Sequence, residues 1–299
     1  MKVLITGVNG FIGSHIYNGL KDKHDIIGTS RSKDSKICNQ YIPCDLTDKN
    51  SLEEIIKNNK DIDVIVHCAA LAHNKGNDLS FDKFQQVNFG VTKDLVDLGN
   101  KYLNLNKFIF LSTISVYGEK MNKSIYTEGD ECYPSSPYAV AKKKSEEYIQ
   151  NNCKSSYYIL RLAPVYSDEF KLNIKRRTEM KGLNYRVGKG DNKLSLCNVN
   201  NIVIAVKGII SNKATKNEIY NISDKSIYSF SDMLEMNKVS KIKVVIPKIL
   251  IDILYKINKI AIKKQFIDEN SIKLVSDNIY SSEKICKNIN LIYRLTDLR

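Results

Sequence analysis

The sequence predicts an α/β protein: a doubly wound parallel sheet with a smaller C-terminal lobe. Three observations carry that expectation. Short apolar runs alternate with longer amphipathic stretches, a glycine-rich turn follows the first run, and the alternation becomes irregular after about Leu162. Parallel strands need long crossover connections and are covered on both faces, so buried runs joined by helices read as one parallel sheet. With 299 residues and 42% apolar composition, the chain can bury one large core, or a core plus a smaller lobe.

The first strand is read at Lys2–Thr6, passing at once into Gly7-Val8-Asn9-Gly10-Phe11-Ile12-Gly13 and a helix over Phe11–Lys21. A strand that turns directly into a helix aims the helix's unpaired N–H groups and positive dipole end at whatever lies above, which makes a cradle for a pyrophosphate. Glycine at 7 permits the tight turn, at 10 it lets a cofactor backbone approach, and at 13 it lets helix pack on strand. Further strands are read at Asp25–Thr29, Ile37–Ile42, Val64–His67, Phe108–Ser112 and Tyr157–Leu162, with helices over Lys49–Asn59, Phe81–Tyr102 and Tyr138–Asn152. Asp48 is the N-cap candidate of the second helix, and Pro134 and Pro137 close a turn-rich stretch before the last. The sheet domain is expected over 1–165 plus about 194–223, and a substrate lobe over about 166–193 and 224–299. Within that lobe Ser167–Lys193 is rich in charge, and Lys241–Lys264 interleaves apolar residues with lysines. The latter reads as an amphipathic helix covering the lobe, with a membrane-surface helix as the alternative.

Seven scattered cysteines, none in a C-x-x-C pair, read as free thiols in a reducing compartment, with neither a disulfide frame nor a metal site. No apolar run approaches the roughly 20 residues that span a bilayer, and no charged-then-apolar leader precedes the first strand, so the cytoplasm is the expected location. The net charge of +13 suits nucleic acid, an anionic membrane surface or an anionic small substrate. Because the lysines run through every segment and no aromatic-interleaved basic motif occurs, solvated surface is the reading, with neither a nucleic-acid nor a membrane partner expected.

Two further features point to chemistry. Tyr138-Ala139-Val140-Ala141-Lys142 sets a phenol and an ammonium one helical turn apart on one face, where the cation is expected to lower the phenol toward a working range for proton transfer. Thr113 and Ser115 emerge at the carboxyl end of the Phe108–Ser112 strand, the edge at which open parallel sheets bind ligands.

The glycine turn, Thr113 ahead of Val116-Tyr117-Gly118, and the Tyr-x-x-x-Lys pair together resemble the extended short-chain dehydrogenase/reductase family, in its NAD-dependent epimerase/dehydratase branch acting on nucleotide sugars. Cys44-Asp45-Leu46, His67-Cys68-Ala69-Ala70, Val87-Asn88-Phe89-Gly90 and Arg161-Leu162-Ala163-Pro164-Val165-Tyr166 add to the likeness, which is strongest over residues 1–165. The resemblance implies a Rossmann-type domain holding NAD or NADP, a Thr113/Tyr138/Lys142 catalytic triad and a homodimer. It implies cofactor contacts from Gly7, Asn9, Gly10, Phe11, Ile12, Gly13, Asp45, Leu46, Cys68, Ala69, Ala70, Asn88, Tyr138, Lys142, Pro164 and Val165, to which the chemistry of Ser30 and Arg31 adds two more. His67 and His73 read as packing or loop residues.

Departures from the family pattern refine these implications. Ser30 and Arg31 stand where an acid would hold an adenosine ribose, and a guanidinium suits a 2′-phosphate, so NADP is favoured over NAD. The Asp-Glu pair of the family's dehydratases is replaced by Ile114-Ser115, which argues against water elimination. Ser115, Arg176 and Arg177 are substrate candidates, the arginines either gripping a diphosphate or standing as surface charges. Three functions follow: reduction of a 4-keto nucleotide sugar as the main reading, a nucleotide-sugar 4-epimerase as the alternative, and a non-catalytic NAD(P)-binding protein as a third, which the intact triad argues against.

Overall fold

Seven strands form the central sheet of the computed structural model, which describes residues 1–72, 80–118, 123–180, 182–212, 216–236, 244–262, 267, 271 and 274–297. They are β1 (Lys2–Thr6), β2 (Asp25–Ser30), β3 (Gln40–Pro43), β4 (Val64–His67), β5 (Lys107–Thr113), β6 (Ser156–Leu162) and β7 (Glu218–Ile222), in the order β7-β6-β5-β4-β1-β2-β3. The pairs β1–β2, β1–β4, β2–β3 and β4–β5 are all parallel. Strand order reverses between β1 and β4, and a crevice opens at the carboxyl ends of strands where that happens. Val3–Ile5, Val64–Val66 and Phe108–Phe110 are fully buried, as strands covered on both faces must be.

The connecting helices are α1 (Phe11–Leu20), α2 (Lys49–Asn58), α3 (Phe81–Phe84), α4 (Val91–Tyr102) and α5 (Pro137–Asn152). A π-helical stretch at Gln85–Gly90 joins α3 to α4, so the single helix read there carries a local irregularity. Asp48 caps α2 through the Asn50 and Ser51 N–H groups, and Ser136 caps α5 through the Ala139 N–H, with Pro137 in the first turn, where its missing N–H costs nothing. The third strand begins at Gln40 instead of Ile37, because the Ser35 hydroxyl accepts from the N–H groups of Ile37 and Cys38 and holds them in a turn.

The chain forms two compact units. One comprises Met1–Val116, Ser135–Arg161 and Ile202–Tyr220, the other Tyr117–Pro134, Leu162–Asn201 and Asn221–Arg299. This differs from the division read in the sequence: Tyr117–Pro134 folds with the second unit, where Ile125–Tyr126 pairs with Ile279–Tyr280 and the Tyr117, Tyr126 and Tyr280 rings pack together. The second unit also holds α6 (Leu172–Thr178), a small sheet in which Leu183–Val187 pairs with Glu179–Met180 and Val244–Ile246, and an apolar cluster around Tyr166, Ile174, Leu196 and Met233. Buried Asp224 ties it together by accepting from the Tyr166 and Tyr228 hydroxyls, the Asn198 N–H and the Asn201 amide. Further along the chain, α7 (Val199–Ser211) lies mostly in the first unit, and α8 (Phe230–Met236) and α9 (Lys248–Ile257) lie in the second. Of α9's aliphatic residues only Ile251 is buried, so the helix covers the lobe with one residue and turns most of its apolar side outward, contrary to the expectation.

Candidate active site

At the switch point, Gly7 takes a positive φ of 70° and its N–H donates to the Thr29 carbonyl at 2.7 Å, folding the chain sharply from β1 into α1. A Cβ at Gly7 would lie 2.9 Å from the Ala69 backbone, and one at Gly13 only 2.2 Å from the Gly7 carbonyl oxygen. Gly10 caps α1 without a side chain, and no acid occupies the first turn. The amino end of the helix is therefore kept clear of side chains that would compete with an anion, which fits a dinucleotide pyrophosphate. The Asn9 amide donates to the Asp34 carbonyl at 2.9 Å and accepts from the Ser35 hydroxyl at 2.6 Å, fixing the loop after β2.

That loop carries Ser30 and Arg31, which the sequence reading assigns to the adenosine end of a dinucleotide. Ser30 shares a 2.8 Å hydrogen bond with the Tyr41 hydroxyl, while Arg31 is exposed. The Thr47 N–H and hydroxyl, aided by the positive field of Arg31, hold the Asp45 carboxyl below the usual carboxylate range. Leu46 beside it is buried.

A buried hydrogen-bond chain shapes the turn after β4. Thr92 donates to the Asn88 carbonyl at 2.7 Å, so it accepts from His67 Nε2–H at 3.1 Å, and His67 Nδ1 accepts from Thr6 at 2.7 Å. Burial keeps this imidazole neutral, pulling it well below the ordinary histidine range. The Asn88 side chain accepts from the Leu71 N–H at 2.7 Å and donates to the Leu71 carbonyl at 3.0 Å, and the Ala69 N–H donates to Thr6 Oγ1. Cys68, Ala69 and Ala70 are thus pinned from both ends. His73 lies outside the described residues.

On α5, Lys142 is fully buried, donates to the Leu111 carbonyl at 2.7 Å and sits 4.4 Å from the Phe110 ring centre. It therefore reaches β5 two residues before Thr113. Burial pulls its ammonium down to about 8, against the opposing pull of Cys68 and Glu146. Burial pushes the Tyr138 phenol up to about 12, whereas the sequence reading has Lys142 drawing it down. The reason is local: desolvation dominates at the phenol, and the ammonium is engaged with the Leu111 carbonyl. Thr113 Oγ1 accepts from the Ser115 N–H at 3.2 Å at the carboxyl end of β5.

One group beneath the site is absent from the sequence reading. Arg161 Nη2 donates to Glu146 at 2.7 Å and its Nε lies 3.1 Å from the same carboxylate, which also accepts from Ser112 at 2.5 Å. The spacing of Tyr138, Lys142 and Glu146 at successive turns of one helix is the signal that could have found it.

In the second unit the Pro164 carbonyl accepts from the Cys197 N–H, and the Val165 carbonyl accepts from the Asn173 amide. Arg176 is exposed. Arg177 is half-buried; desolvation lowers its guanidinium against the opposing influence of Tyr280 and Tyr185.

A model of the NAD dependent epimerase/dehydratase family matches residues 3–223. The chain belongs to that family. Among curated members, it is 28% identical over 248 residues to a UDP-glucose 4-epimerase of Vibrio cholerae, covering 78% of this chain and 74% of that one. It is 30% identical to an uncharacterised UDP-glucose epimerase of Bacillus subtilis, covering 74% and 76%, and 33% identical to a dTDP-D-glucose 4,6-dehydratase of Dictyostelium discoideum over 52% and 41%. The fold matches the UDP-glucose 4-epimerase of Thermotoga maritima solved with UDP-glucose, at TM-score 0.73 and 22% identity over 96% of this chain and 92% of that one. It equally matches the UDP-glucuronic acid 4-epimerase of Bacillus cereus solved with NAD, at TM-score 0.73 and 22% identity over 99% and 94%.

Proposed function

We propose that this member of the family reduces a 4-keto nucleotide sugar, with NADPH as the favoured cofactor. The observation that carries the reading is at the end of β2, where Ser30 and the exposed Arg31 stand in place of an acid that would hold an adenosine ribose, which suits NADPH as an exchangeable reductant.

The bound nicotinamide supplies the hydride. The amino end of α1, with Gly7, Gly10, Phe11, Ile12 and Gly13, holds the pyrophosphate, and Asp45 and Leu46 flank the adenine. Arg31 pairs with the 2′-phosphate, for which its exposed guanidinium and the missing acid at Ser30 are suited. Lys142 orients the nicotinamide ribose, Thr113 hydrogen-bonds the sugar oxygen, and Tyr138 delivers the proton to it. Ser115 contacts the sugar. Of the two arginines, Arg177 is the better diphosphate ligand, since a partly desolvated guanidinium gains more from an anion than exposed Arg176 does. Ile114 and Ser115 offer no carboxylate for dehydration.

A 4-epimerase is the second reading, supported by the likeness to the UDP-glucose 4-epimerase of Vibrio cholerae. The test is to incubate the purified protein with a UDP-4-keto-6-deoxyhexose and NADPH or NADH and follow nicotinamide absorbance. Stoichiometric NADPH oxidation is expected, and Arg31→Ala should weaken NADPH about tenfold or more while sparing NADH, since a hydrogen bond to a charged group contributes about 1.5–3 kcal/mol. Interconversion of UDP-glucose and UDP-galactose without net cofactor consumption would overturn the reductase reading in favour of the epimerase.

A further inference from the structure

Ile249, Leu250, Ile253, Leu254, Ile257 and Ile260, on α9 and the π-helical stretch Asn258–Ile262 that follows it, are 40% to 79% exposed. Their spacings of one, three and four place them on one side, while Ile251 and Asn258 turn inward and are buried. Single exposed aliphatic residues are ordinary, but six in a contiguous stripe mark a surface built to be covered.

The charge around the stripe selects what covers it. In the sequence, residues 248–264 carry five lysines against one acid, Asp252, and Lys248 is paired with Asp191 at 3.2 Å. A second copy docked stripe to stripe would bring these like charges together, adding repulsion to an apolar contact. An anionic lipid surface suits both features at once: aliphatic side chains enter the headgroup–acyl boundary, and lysine stems extend so that their ammonium groups meet phosphates. We propose that α9 and its continuation form an interfacial helix that seats this protein on an anionic phospholipid bilayer. The attachment is peripheral, because no helix among the described residues is long and apolar enough to cross a membrane.

The test is co-sedimentation of the full chain with vesicles of roughly one third phosphatidylglycerol in phosphatidylcholine, compared with pure phosphatidylcholine. Binding to the anionic vesicles is expected, weakened by salt and lowered about tenfold or more by Ile253→Asp/Ile257→Asp and by Lys256→Glu/Lys259→Glu. The chain contains no tryptophan, so Ile253→Trp provides a single fluorophore whose emission should shift to the blue on those vesicles without any disruptive substitution. Absence of both sedimentation and shift would overturn the proposal. Undiminished binding by the Ile253→Asp/Ile257→Asp variant would do the same, since attraction would then be diffuse charge alone. A dimer that this variant dissociates, with no vesicle binding, would assign the stripe to a second copy instead.

Discussion

Breaking the ion pair beneath α5 should be among the costliest single changes in the first unit. Glu146 and Arg161 have side chains 0% and 3% exposed and are joined at 2.7 Å, with a second guanidinium contact at 3.1 Å and the Ser112 hydroxyl on the same carboxylate. Glu146→Ala would leave a guanidinium buried without its acid and Ser112 without its acceptor. Arg161→Met would leave a carboxylate in the same position. Removing one partner of a buried pair costs about 3–5 kcal/mol, a large share of the roughly 5–15 kcal/mol that holds a protein folded. Replacing both, as Glu146→Leu/Arg161→Met, removes the desolvation penalty with the attraction, so the double variant should regain most of the loss. Urea denaturation of the wild type, both single variants and the double variant closes a double-mutant cycle. Because the pair joins α5 to β6 and, through Ser112, to the residue before Thr113, turnover should fall in the single variants even where they remain folded. A cost below about 1 kcal/mol in either single variant, or a double variant that costs the sum of the two, would refute the coupling of the pair.

Three further outcomes are expected. Lys142 sits at about 8 against 10.5 for an ordinary lysine, so the unfolded chain binds the extra proton between those values; the penalty on folding is full below about pH 8 and gone above 10.5. Wild type should therefore gain stability relative to Lys142→Met as pH rises from 8 toward 10, by at most about 3 kcal/mol, and denaturation of both proteins across that window checks it: a flat difference contradicts the buried ammonium. Gly13→Ala would set a Cβ 2.2 Å from the Gly7 carbonyl, so the β1–α1 turn must shift; a loss of about 1–3 kcal/mol and of calorimetric NADPH binding is expected, and wild-type affinity would show that the turn is not the cradle. Tyr138→Phe removes only the donated proton, so turnover should drop about a hundred- to ten-thousand-fold with cofactor affinity nearly unchanged, as rapid kinetics and titration with NADPH would report; near-normal turnover would remove Tyr138 from the proton-transfer role.

Local pattern determines much of this protein by itself. Buried strands such as Lys107–Thr113 and Val64–His67 carry unbroken apolar runs, Phe108–Leu111 and Val64–Val66, and the glycines at 7, 10 and 13 are readable because a tight turn and a close approach each exclude a side chain within a few residues. The Tyr138–Lys142 spacing is legible for the same reason, since a helix brings residues four apart to one face. What depends on distant chain segments was decided only by the tertiary structure. His67 reads as a packing or loop residue until Thr6 and Thr92 bracket its two nitrogens, and Arg161 is only part of a family motif until Glu146 meets it in the core. The proton affinities followed burial instead of spacing: half-buried Tyr138 rises because packing around it disfavours the charged phenolate, an environment that no run of neighbouring residues encodes. The outward turn of α9 is of the same kind. Its amphipathic period is written in the sequence, but which side meets the core depends on packing across the whole unit.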